Sequence, residues 1–239
     1  MALCFIPAAV LAVAVALPGA ARAATLIPGD TVIMPGTTAA SNPEVAGATL
    51  ATQQLFWNSY PQPSLFIQGG VHEVSVQRSD VTGGTIISHT LTNWINTATD
   101  VMLIDGFSIT GYAGFDTDVS YRTDLAGDRG PTTAERSADG DTLSFNFFQA
   151  LNVGYLVQQV REDSFPVSIL TDANSYEATG RMTIWGRIVG DTSTDPFSVS
   201  IGGVYVPSMA TPIPLPASML LLLGAVAGLV GFGRRARSA

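Results

Sequence analysis

The chain has 239 residues with 11 basic and 19 acidic side chains, a formal charge of -8. Every basic residue is Arg, which rules out Schiff-base or P-loop chemistry that needs a Lys. Between the termini 7 Arg stand against 19 acids, a net charge of -12, so nucleic-acid binding through phosphate neutralisation is not expected.

Residues 5–17 form an apolar run of signal-peptide length, followed by Pro18-Gly19 and then Ala21-Arg22-Ala23. Small residues at Ala21 and Ala23 suit signal peptidase, and cleavage is expected after Ala23, giving a signal peptide over 1–23. The run is short for a membrane span, so export is preferred over an N-terminal anchor. The single Cys4 precedes this run, so no disulfide or thiolate cluster is available to the mature domain.

Residues 24–210 read as one all-β ectodomain, long enough for a single hydrophobic core. The stretch 24–42 is rich in Pro, Gly and Thr and is expected to cover the surface or pair as an edge strand. Strand-like runs follow at 71–77, 85–91, 101–104, 107–112, 142–148, 167–171, 178–189 and 197–206. The runs at 101–112 are interrupted at Asp105-Gly106, where Gly permits a turn or bulge. The closest approach to a helical pattern, 152–161, still favours a strand by composition. About eight strands with frequent turns predict an antiparallel β-sandwich, jelly roll or related Greek-key domain.

Chemistry-bearing residues are sparse. Only His72 and His89 could serve as a base beside a nucleophile, and neither sits in a catalytic motif. His72-Glu73 begins like a zinc-protease helix, but Val76 stands where the second His would be. Ser108 lacks the second Gly of a nucleophile elbow. Glu73 and Glu177 each adjoin a strand and are candidates for a glycoside-cleaving carboxylate pair. Catalytic residues are therefore assigned to none, with a glycan-active enzyme as the alternative.

The densest acidic stretch holds Asp116, Asp118, Asp139 and Asp141, candidate calcium ligands on Gly-rich turns. The same residues are what a long solvated loop and a hairpin turn need, and no other cofactor is expected. Trp57, Tyr60 and Phe66, with Trp94 and Trp185 elsewhere, could stack on sugars or fill the core. A carbohydrate-binding module is thus the alternative from the binding class.

The C-terminal segment 211–239 is more specific. No charge occurs between Asp195 and Arg234, and 216–233 reads PASMLLLLGAVAGLVGFG. Eighteen helical residues span roughly 27 Å, enough to cross a bilayer's hydrocarbon core. Arg234, Arg235 and Arg237 would act as the cytoplasmic stop, leaving the acidic domain outside.

Just before this span lie Pro214, Leu215, Pro216 and Ala217. Alternating prolines resist helix formation and present an extended strip beside the membrane. The motif, apolar span and Arg cluster resemble the PEP-CTERM class of bacterial sorting tails, in particular its VPLPA variant, with Ile213 in place of Val. The resemblance covers about the last 28 residues. It implies processing by an exosortase-type membrane enzyme and delivery to the cell surface or an exopolysaccharide layer. The expected partners are signal peptidase, that enzyme, the membrane and exopolysaccharide. A single-span protein that is never processed shares this topology and differs in the fate of the tail.

Overall fold

A computed structural model describes residues 22–59, 69–94, 100–154, 160–189 and 194–209. The chain divides into two compact units, Met1–Ser208 and Met209–Ala239, and the described strands belong to the first. Among the described residues there is no α-helix, one 3-10 turn at Pro43–Val45, and thirteen strands. In chain order these are β1 Ala24–Thr25, β2 Thr31–Ile33, β3 Gly36–Thr37, β4 Gly47–Asn58, β5 Gly69–Ser79, β6 Thr85–Asn93 and β7 Val101–Thr110. They continue as β8 Thr117–Arg122, β9 Thr133–Arg136, β10 Thr142–Val153, β11 Val167–Thr171, β12 Ser175–Val189 and β13 Thr194–Ser208.

The seven-stranded sheet runs β1-β8-β11-β6-β5-β4, with β3 also paired to β8; the six-stranded sheet runs β13-β12-β7-β10-β9-β2. Every named pairing is antiparallel except β3–β8. Alternation explains which faces meet. Successive strand side chains point to opposite faces, so Val74, Val76, Ile87 and Leu91 of one sheet and Phe107, Ile109, Phe145 and Ile184 of the other join a single buried core. Gln53 ties the two sheets together: its Nε2 donates to the Gly203 carbonyl at 2.7 Å and its Oε1 accepts from the Tyr205 amide at 3.3 Å.

Several expectations change in detail. β7 is one strand, and the irregularity expected at Asp105-Gly106 is a bulge. Against β12, Gly106 pairs with Trp185 and Ile104 with Gly186, leaving Asp105 extra. Against β10, Gly106 pairs with Asn146 and Ile104 with Leu151, so the extra residues there are 147–150. The acidic stretch expected as a long solvated loop contains β8 and β9, and β8 lies inside its sheet between β1 and β11. β4 was not expected as a strand. Of the described residues in 152–161, Asn152 and Val153 are strand at the end of β10, and Arg161 makes an isolated antiparallel bridge to Val153; 155–159 lie outside the described residues. The N-terminal stretch supplies β1, β2 and β3, as an edge-pairing role requires.

Candidate functional site

The outer face of the seven-stranded sheet carries a polar groove. Register aligns Thr52, Ser75 and Ser88 across β4, β5 and β6, and beside them Gln54, Glu73 and Thr90. Both rows line a cavity of about 550 Å³, walled by Arg122, Leu125 and Pro166. The hydroxyl row continues beneath the wall as Ser168 and Ser120, both fully buried, with Ser88 Oγ 2.9 Å from Ser168 Oγ. Thr37 Oγ1 closes it with a 3.2 Å hydrogen bond to Ser120 Oγ.

The charged groups of the groove are held in place. Gln54 Nε2 donates to Glu73 Oε1 at 3.1 Å. Arg122 is only 8% exposed; its Nε and Nη2 donate to the two Asp124 oxygens at 2.8 and 2.9 Å, and its Nη1 to the Val45 carbonyl at 2.8 Å. That guanidinium, helped by the Ala39 amide, holds the Asp124 carboxyl well below the usual carboxylate range, despite some desolvation. The wall cation is therefore already neutralised.

An aromatic pair lies further along the same face. Phe56 is two residues beyond Gln54 on β4, so it shares its face, and it is 67% exposed. Its ring stacks on Trp94 at 5.9 Å between centroids. The remaining aromatics differ. Trp57 is buried, Trp185 packs over Gly106 in the other sheet, and Tyr60 and Phe66 lie outside the described residues.

The other candidates do not assemble. His72 and His89 are fully buried on the inner face and bonded to one another, and His89 is bonded to Tyr112 as well. Glu73 lies on the outer face of one sheet and Glu177 on β12 of the other. Asp116 and Asp118 border a cavity of about 330 Å³ with Asp172, a residue the sequence did not single out. Asp139 and Asp141 instead organise the β9–β10 turn. Asp139 Oδ1 accepts from Ser137 Oγ and the Asp141 amide, and Asp141 Oδ1 accepts from the Gly111 amide. Among the described residues no three His, Cys, Asp or Glu side chains are grouped to hold a metal ion.

Ala23 is half-buried immediately before β1; Ala21, the Pro214–Leu215–Pro216–Ala217 motif, the span at 216–233 and Arg234, Arg235 and Arg237 lie outside the described residues. No described helix is long and apolar enough to cross a membrane. Comparison with known proteins finds no matching family, no similar curated sequence and no similar solved structure.

Proposed function

We propose that this chain is an exported, non-catalytic cell-surface or extracellular-matrix protein, sorted by an exosortase-type C-terminal signal. Its two antiparallel sheets form a jelly-roll-like sandwich ectodomain over 24–210, followed by a proline motif, a transmembrane helix and a cytoplasmic Arg cluster. The order of those last three features along the chain is the observation that carries the reading. Guanidinium groups resist passage through hydrocarbon, so the Arg cluster stays on the cytoplasmic side while the acidic domain is outside.

Two structural observations support it. The ectodomain is rich in strands, and both histidines are spent in the core rather than presented to a substrate. Cleavage after Ala23 makes Ala24 the first mature residue, and Ala24 pairs with Val119. After release to the surface the protein joins the exopolysaccharide layer that the tail's resemblance implies.

Mass spectrometry of the C-terminal peptide of surface-extracted protein tests the reading. A new terminus close to the Pro214–Ala217 motif is expected. An intact end at Ala239 would remove processing and leave a permanently anchored protein. Digestion of Arg234–Arg237 by trypsin added outside intact cells would overturn the topology.

A further inference from the structure

We propose that the groove over β4, β5 and β6 is a binding site for a neutral polysaccharide chain. It is a sheet face, and β5 and β6 are paired on both sides, so a ligand lying over them is read by side chains. The floor supplies them: Thr52, Ser75, Ser88 and Thr90 hydroxyls each donate and accept, and the Gln54 amide does both. Adjacent strands lie about 4.8 Å apart. Hydroxyls aligned by register across three strands therefore repeat at close to the advance of a pyranose chain per sugar. A cavity of about 550 Å³ holds a few sugar rings and falls within the size range of small-molecule sites.

The aromatic pair adds the second requirement of sugar recognition, an apolar platform. Phe56 offers a largely exposed ring, and Trp94 stacked on it fixes the ring's orientation. Flat aromatic surfaces bury the C–H face of a pyranose while the hydroxyl edge meets the polar floor. Charge selects among polysaccharides. The Arg122 guanidinium is committed to Asp124 and Val45, and Glu73 places a carboxylate on the floor. A uronate or phosphate would meet repulsion without a compensating cation, whereas a neutral chain meets none. The inference concerns the ectodomain surface and stands whether or not the tail is processed.

Affinity electrophoresis tests it with the full chain in a detergent that has no sugar headgroup. The gels would contain hydroxyethylcellulose, galactomannan or soluble starch, with polygalacturonate as the anionic comparison. At least one neutral polymer should retard the protein, and polygalacturonate should not. Gln54→Ala and Trp94→Ala, both at solvent-accessible positions, should each weaken retardation at least tenfold without lowering Tm. Ser200→Ala, exposed on the other sheet, should change nothing. The proposal is overturned if no neutral polymer retards the chain, if polygalacturonate alone does, or if both groove variants bind like wild type. Equal loss in Ser200→Ala would overturn it as well.

Discussion

His72 and His89 stack in the core with ring centroids 5.2 Å apart, and Nε2 of the first lies 3.0 Å from Nδ1 of the second. They are diagonal neighbours on adjacent strands, since His72 pairs with Leu91 and His89 with Val74. His89 Nε2 then meets Tyr112 Oη at 3.2 Å, which makes a buried relay of three polar side chains. His72 Nδ1 is left without a hydrogen-bond partner at the end of it.

That relay predicts a pH dependence of stability. Burial pushes the His72 pKa from 6.5 down to about 3, and burial together with the nearby His72 lowers that of His89 as well. The unfolded chain binds protons at these residues near pH 6.5, whereas the folded chain does not until the pH is much lower. Stability is therefore complete above pH 6.5 and declines as the pH falls below it. Thermal melts should show Tm dropping between pH 6.5 and 4.5, above the range where Asp124 protonates. The triple variant His72→Leu, His89→Leu, Tyr112→Phe should lack most of that decline. His72→Leu alone, which strands a buried nitrogen on His89, should cost about 1–3 kcal/mol.

Arg136 is a second buried polar hub, only 4% exposed. Its Nε donates to the Gly140 carbonyl at 3.0 Å, Nη1 to Leu26 O and Thr117 Oγ1 at 3.1 Å each, and Nη2 to Tyr112 O and Phe115 O at 3.0 and 2.7 Å. One side chain thereby joins the β9–β10 turn, the β7–β8 connection and the chain after β1. Arg136→Met should cost about 3 kcal/mol or more, because it strands several buried carbonyls. Arg136→Lys should recover little, since an ammonium cannot reproduce the fork. Arg187→Met, which breaks a half-exposed pair with Asp105, should cost less than about 1 kcal/mol. Urea midpoints of the three variants would rank these effects; equal losses at Arg136 and Arg187 would refute the assignment.

Gly106 is required by close approach. A Cβ there would lie 2.6 Å from a Trp185 ring carbon and 2.6 Å from the Phe145 carbonyl oxygen. Gly106→Ala should cost about 1–3 kcal/mol. Adding Trp185→Ala should not restore the loss, because the Phe145 oxygen is backbone and remains. Calorimetric melting of the single and double variants would show whether it does.

The four acids read as candidate calcium ligands fall into two separate settings. Asp139 and Asp141 already accept turn hydrogen bonds, and the Ser137 hydroxyl and Asp141 amide lower the Asp139 pKa. Millimolar calcium should therefore leave Tm unchanged, with no effect of chelator. A calcium-dependent rise abolished by Asp172→Asn would instead place a site in the Asp116–Asp118 cavity.

Strands whose two faces differ in polarity were legible. The alternation of Glu73, Ser75 and Gln77 with His72, Val74 and Val76 marks β5, and the central strand's share of the groove floor, Glu73 and Ser75, can be read from it. β11 coincides with the expected 167–171 run, because apolar residues dominate it. β8 and β9 escaped notice because Asp and Gly are turn formers, and no local rule marks Asp118 as lying between two ladders. β4 escaped because its outward positions, Thr52 and Gln54, are polar and its inward position Gln53 is as well.

The sequence by itself determined the acidity, the all-Arg basic set, the apolar terminal run before its Arg cluster, and the side-chain period of most core strands. All of these are properties of neighbours along the chain. Tertiary structure alone decided that His72 meets His89, that Arg136 gathers carbonyls from three segments, and that Thr52, Ser75 and Ser88 form one row. Those pairings depend on strand register, and a slip of one residue would reverse every facing side chain. Register is set by contacts between residues far apart in sequence, which no local pattern records.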